Sequence, residues 1–352
     1  MDILTEIVST ILTQMQKPTL AFLIGGMMLA ALGSKFEIPE PVYKFIVILL
    51  LLKVGIGAGI SVREASFVDL AVPALLAAAI GVVIVLLGRA TLARWTGVNQ
   101  VDATATVGLF GAVSASTLAA GMAVLDSEGI AYEGFIGALY PFMDVAALVT
   151  AIVLARLAAA RKAAHMQADG TMTMGGGSAG GDPLVDQGLI KGILLDTVRS
   201  PAISALLLGL ALGLFARPES VYESFYDPLF RGLLSVLMLI MGIEAWSRLS
   251  ELKGVAHAYL FYGVSAPLVH GCLGFGAGLV AHHLTGFSAG GVVLLAIMAA
   301  SSSDISGPPT MRAALPEANP SAYVGTSTGL GTPVAILSIP LFMALADYVI
   351  GF

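Results

Sequence analysis

Apolar residues run through this chain in long blocks separated by short polar stretches. A bilayer core needs about 20 predominantly apolar residues per crossing helix, and the blocks reach that length. Ten spans are predicted. Span 1 covers Pro18 to Ser34, span 2 Pro41 to Ile60, span 3 Phe67 to Leu92, span 4 Val101 to Leu125 and span 5 Tyr132 to Leu157. Span 6 begins near Pro201 after a more amphipathic lead-in from Leu189. Span 7 covers Phe225 to Trp246, span 8 Val255 to His282, span 9 Ser288 to Leu315 and span 10 Ser321 to Ile350. Ahead of them Ile3, Leu4, Ile7, Ile11 and Leu12 fall at helical spacing, the pattern of a short helix lying on the membrane or on a neighbour. The fold class is an all-α integral membrane protein of ten transmembrane helices.

Two of these blocks are broken. AASSSDISGPP, Ala299 to Pro309, interrupts span 9, and GAVSAST, Gly111 to Thr117, interrupts span 4. An unsatisfied backbone group in hydrocarbon costs several kcal/mol, so a helix stops at mid-depth only where protein or a water-filled cavity takes up the freed groups. An aspartate at the bilayer centre costs about 2.5–3.5 kcal/mol on insertion scales, which marks Asp304 as functional. A Ser-rich surface loop would explain the composition, but apolar sequence continues on both sides.

The halves resemble each other. FEIPEPVY at Phe36 recurs as FARPESVY at Phe215, and Leu51–Arg63 corresponds to Val236–Arg248, pairing Gly57 with Gly242. Pro73 matches Pro267, Thr96–Gly97 matches Thr285–Gly286, Ser114 lands beside Asp304, and Pro141 lands near Pro333. Five spans per copy is odd, so the second copy must cross the bilayer in the opposite sense. Inverted repeats with interrupted helices at matching positions point to a secondary transporter. The chain divides into a first repeat (1–157), a Gly- and Ala-rich linker (158–187) and a second, inverted repeat (188–352). Spans 4, 5, 9 and 10 hold every broken or acidic segment and should form the substrate-carrying core. The other spans form a scaffold and oligomerisation unit.

Composition agrees. Residues are 57% hydrophobic and 11% charged, with a mean hydropathy of +0.91, whereas soluble domains carry about 25% charged residues. Cys272 is the single cysteine, so no internal disulfide forms. The five histidines show no zinc-type spacing with a carboxylate, so no metal other than sodium is expected; His270 reads as a satisfied interhelical residue. The first residues lack a basic start and a small-residue cleavage site, unlike a signal peptide. Lys35, Lys44, Arg89, Arg94, Arg156, Arg161, Lys162, Lys191, Arg199, Arg248, Lys253 and Arg312 share one side; Lys17, Arg63, Arg217 and Arg231 share the other with most loop acids. The first side is cytoplasmic by the positive-inside rule, which puts both termini outside and the linker inside.

Broken helices expose N–H groups and a positive dipole end. Two such ends with hydroxyls suit a small anion: Ser114, Ser116 and Thr117 from span 4, and Ser301, Ser302 and Ser303 from span 9. A carboxylate among carbonyl and hydroxyl oxygens suits sodium: Asp304, Asp144, Ser306 and Thr326. Asp144 could instead form an ion pair or cap a helix. Lys53 reads as a lysine that snorkels from near the end of span 2. Small residues at such positions also let helices pack closely, which explains Gly and Ala better than an aspartate. No spacing supports a Ser–His pair, so an enzyme is not expected and no cofactor is required. An anion channel remains the alternative, as does a sodium-coupled symporter of another small anion.

Long segments carry a family resemblance: PTLAFLIGGM at Pro18, GLFGAVSAST at Gly108, ALYPFMD at Ala138, PESVYESFYDPLFRGLL at Pro218, LMLIMGIEAWSR at Leu237 and AASSSDISGPPTMRA at Ala299. The chain resembles cyanobacterial sodium-dependent bicarbonate transporters of the SbtA type over essentially its whole length. The resemblance implies ten helices in two inverted repeats, a homotrimer in the plasma membrane, and sodium-coupled bicarbonate symport feeding carbon concentration. It also implies a soluble, trimeric PII-like regulator that binds adenine nucleotides and docks on the cytoplasmic face. Nucleic acid is not an expected partner.

Overall fold

The computed structural model describes residues 18–36, 38–63, 66–168, 195, 199, 201–251 and 257–352. Among them all regular structure is helical. Seven helices are long and apolar enough to cross a membrane, and three shorter apolar ones, Leu20–Ala31, Ile203–Phe215 and Ala289–Ala300, fall in predicted spans 1, 6 and 9. The amphipathic pattern at residues 3–12 and the run from 169 to 187 lie outside the described residues, as does most of the lead-in to span 6.

Four helices form one group: α1 (Pro18–Ala31), α2 (Glu40–Val62), α7 (Pro201–Phe215) and α8 (Asp227–Glu251), the last entered through a helical turn at Glu219–Val221 and a π-helical turn at Tyr222–Tyr226. α1 packs on α8, and α2 packs on α7 and α8. Both main crossings are made by glycines. A Cβ on Gly242 would meet the Leu23 carbonyl, the Met27 nitrogen and the Gly26 Cα. A Cβ on Gly55 would meet the Leu206 carbonyl, the Leu210 nitrogen and the Gly209 Cα. Residue for residue the contacts match, so Gly242 corresponds in packing to Gly55 rather than to Gly57, which instead faces the Tyr222 hydroxyl. Backbones approach this closely only where no side chain intervenes.

The second group holds α3 (Phe67–Thr91), α4 (Gln100–Gly111), α5 (Ala115–Glu128), α6 (Tyr140–Ala168), α9 (His257–Thr285), α10 (Ala289–Ala300), α11 (Gly307–Ala314), and a last span of α12 (Pro320–Val324), a π-helical segment (Gly325–Gly331), α13 (Thr332–Leu337) and α14 (Ile339–Val349). The sequence left spans 3 and 8 with the scaffold. In the packing, α3 lies on α4, α6 and α9, and α9 lies on α10, so both sit with the broken helices.

Local chemistry sets the two broken spans up alike. Gly97 (φ 83°) and Gly286 (φ 73°) make left-handed turns that a Cβ would disfavour. Two residues on, Asn99 accepts from the Val101 N–H at 2.8 Å and Ser288 from the Gly291 N–H at 3.0 Å. These caps satisfy first-turn donors, and each opens a 12-residue helix, α4 or α10. Carboxylates then clip the group together at two places: Glu133 takes the Ser288 N–H (2.6 Å), and Asp102 takes the Asn319 N–H (2.8 Å).

Two sequence expectations change here. Span 5 begins as a 3-10 helix, Gly134–Leu139, and its α-helix runs on to Ala168, eleven residues into the expected linker. That stretch lacks apolar periodicity, but Ala, Arg, Lys, Met and Gln are strong helix formers. Lys53 does not snorkel. It is 5% exposed, well inside α2, with Nζ 3.4 Å from Asp227 and 4.2 Å from the Phe230 ring centroid.

Candidate functional site

The chain leaves α4 in extended backbone at Ala112 and starts α5 after Ser114; it leaves α10 at Ser301 and starts α11 after Ser306. The breaks cross each other. The Ser303 N–H donates to the Leu109 carbonyl at 2.8 Å. The reciprocal contact runs through a hydroxyl: the Ser114 N–H donates to Ser301 Oγ (3.0 Å), and that hydroxyl donates to the Met298 carbonyl (2.7 Å). Leu109 and Met298 each stand two residues before the end of their helix. Backbone groups freed by the breaks are thus satisfied across the crossing, as hydrocarbon requires.

Both acids attach to successive residues of the α4/α5 break. Asp144, wholly buried, accepts from the Val113 N–H through Oδ1 (3.1 Å) and from Ser306 Oγ through Oδ2 (3.0 Å). Asp304 Oδ2 accepts from Ser114 Oγ at 3.1 Å and from Ser116 Oγ. Its Oδ1 is buried and has no partner among the described residues. Ser114 is also the N-cap of α5, accepting from the Thr117 N–H at 3.1 Å. The anion standing at this helix start is therefore the carboxylate of Asp304, placed where the dipole favours negative charge.

The remaining predicted residues separate. Ser303 Oγ lies 2.9 Å from Ser306 Oγ and accepts from the Gly307 N–H at 2.8 Å, so it belongs to the Asp144 side. Ser302 Oγ donates to the Ser327 carbonyl (3.0 Å) and lies 3.1 Å from Thr332 Oγ1, tying the break to the last span. Ser301 is spent on the crossing. Ser116 and Thr117 sit inside the first turn of α5 rather than in the break. Thr117 Oγ1 and Thr326 Oγ1 are buried without partners among the described residues, as is Thr328 Oγ1. Thr326 lies in the π-helical segment and makes no direct bond to either acid. Such π segments recur at functional sites.

Sequence reasoning missed three participants: the Val113 N–H, Thr332, and the Tyr140 hydroxyl 3.5 Å from Ser306 Oγ. Thr332, a hydroxyl beside Pro333 in an apolar run, was findable by the logic applied to Thr326. His270 was expected to be satisfied; it is buried edge-on to Phe110 and Tyr262, and its Nδ1 has no partner among the described residues. Among the described residues no imidazole is bonded to any of these serines. The arrangement offers carboxylate and hydroxyl oxygens, which suit a hard monovalent cation, beside helix-start N–H groups, which suit an anion.

A family model described as the Na+-dependent bicarbonate transporter superfamily matches residues 18–347 of the 352. No curated protein matches the chain.

Proposed function

The chain belongs to the Na+-dependent bicarbonate transporter superfamily, and from that membership we propose that it is a symporter drawing bicarbonate into the cell on a sodium gradient, supplying inorganic carbon for concentration. It is a multi-pass membrane transporter, not an enzyme. The observation that carries the coupling is the attachment of Asp144 and Asp304 to Val113 and Ser114, with one oxygen of Asp304 unpartnered. Sodium takes that oxygen, with Asp144, Ser306 and Thr326 as the further candidates around the same break. Bicarbonate takes the start of α5, where Ser114, Ser116 and Thr117 lie. Ser301, Ser302 and Ser303 hold the crossing in shape for it. An ionised Asp304 repels an anion from that helix start. Sodium on Asp304 cancels the charge, so the cation promotes binding of the anion, and by linkage the anion promotes the cation. An interior-negative potential opposes entry of a lone anion; one sodium or more removes that opposition.

The ten spans form two inverted five-helix repeats in this reading. The matched glycine crossings and the matched turn–cap–helix units support it. The moving unit comprises spans 3, 4, 5, 8, 9 and 10 and slides, elevator-like, against spans 1, 2, 6 and 7, which hold a trimer in the plasma membrane. Both termini lie outside. The linker, Arg248–Lys253 and Arg312 face the cytoplasm and receive a PII-like regulator.

The test is uptake of labelled bicarbonate into sealed vesicles. An inward sodium gradient should drive accumulation above equilibrium, and potassium should not replace it. Sodium-independent equilibration would overturn symport.

A further inference from the structure

A second polar site lies away from the broken helices. A cavity of about 390 Å³ opens where α2 and α8 of the first group face the end of α5 and the turn after it. Lys53, itself buried, lies in its wall. It is 13 residues after the start of α2 and nine before its end, which at 1.5 Å per residue is about 20 Å and 14 Å of helix. A charged side chain that deep in a membrane protein is costly and is kept for a reason. Its ion-pair partner, Asp227, has a side chain 60% exposed, so water competes with Lys53 for that carboxylate.

The wall carries two cations, Lys53 and Arg231, and two carboxylates, Asp126 and Asp227. Each carboxylate is already engaged on one oxygen, Asp126 by the Tyr132 hydroxyl at 2.9 Å and Asp227 by Lys53. Lys53 brings three N–H donors and meets one carboxylate oxygen within 4 Å. Arg231, also in the wall, makes no hydrogen bond or ion pair to any described residue. A guanidinium presents a planar fork that matches a carboxylate-like anion. From Asp126, α5 leads through 12 residues to Ser114, about 18 Å along the axis. The cavity therefore stands at one end of a helix whose other end carries the site above.

We propose that this cavity is a receiving site for a small planar oxyanion of the bicarbonate–formate class, held by Lys53 and Arg231 before it passes along α5 to the broken helices. The inference rests on the transport reading for its direction, but the cavity can be probed without transport. In a Cys272→Ser background, Tyr132→Cys places a thiol in the wall and leaves its four charged side chains in place. An anionic thiosulfonate should modify it about tenfold faster than a cationic one, and millimolar formate or bicarbonate should slow the reaction without sodium. Adding Lys53→Met should remove both effects. Tyr222→Cys, at another uncharged position of the wall, provides an independent reporter. Equal rates for the two reagents, or protection that survives Lys53→Met, would overturn the site. In vesicles, Lys53→Met should raise KM for bicarbonate about tenfold, some 1.4 kcal/mol, with kcat little changed and Lys53→Arg restoring most of the loss. An unchanged KM would overturn the receiving role. If wild-type vesicles show no sodium-driven uptake, the transport reading fails and the labelling alone decides the cavity.

Discussion

At the α4/α5 break the chain needs only Ala112 to Ser114 to pass from one helix to the next; at the α10/α11 break it takes Ser301 to Ser306. The crossing contacts occupy equivalent places, two residues before each helix ends, yet one is a direct backbone bond and the other passes through the Ser301 hydroxyl. The short break contributes an N–H from Val113 and a hydroxyl from Ser114, and the first turn of α5 adds the Ser116 hydroxyl, all of them donating to carboxylates. The long break contributes Asp304 itself and the Ser303–Ser306 pair. A shared backbone scheme has thus been filled with donors on one side and, on the other, with an acid and a hydroxyl pair that serves Asp144.

The largest expected effect removes the asymmetry. Asp304→Asn keeps the size but leaves no charge at the start of α5, and sodium-driven uptake should fall on the order of 100-fold. Normal uptake with a normal sodium response in a correctly inserted variant would refute the assignment. A control outside the breaks comes next. Gly242→Ala drives a Cβ into the Leu23 carbonyl and should cost about 3 kcal/mol in thermal unfolding, with Gly55→Ala similar. Gly57→Ala meets only the end of Tyr222 and should cost less; equal costs at 55 and 57 would undo the register of the two crossings. Ser301→Ala strands the Ser114 N–H and leaves the Met298 carbonyl only the Ser301 N–H at 3.3 Å, so about 2 kcal/mol of stability should be lost, with sodium and bicarbonate constants shifting together. A shift confined to bicarbonate would place Ser301 on the substrate instead. The smallest effect is Ser114→Ala, about 1 kcal/mol for the lost cap. It should raise both apparent constants, because Ser114 also holds Asp304. Movement of the bicarbonate constant alone would show the serine acting on the anion independently of the acid.

Much of this was legible before any coordinates. Apolar blocks gave the spans, and polar residues inside them gave both breaks and both acids, because a helix cannot stop in hydrocarbon without a cause. Partner choice was not legible. Ser114, Ser116 and Ser301 read as donors for a ligand, but the first two meet a carboxylate and the third a carbonyl, and spacing along one strand of chain does not reveal what faces it from another. Lys53 and Asp227 are 174 residues apart, so their pairing left no local pattern. The register slip between Gly57 and Gly55 has a similar cause: the motif Gly-x-Gly-x-Gly at 55–59 offers three candidates, and only packing distinguishes them. The extension of α6 went unseen because charge and small residues mask helical propensity once the apolar period is lost.

That extension has a use. At 29 residues α6 is about 44 Å long, whereas the hydrocarbon layer is about 30 Å thick. Its surplus turns leave the bilayer as an unbroken continuation of a helix whose other end carries Asp144. A rigid marker joined in register near Ala168, paired with a second on the α1–α8 group, makes a ruler. Any travel of one group past the other would be read at that stalk as a change in distance, without a label ever being placed near the site.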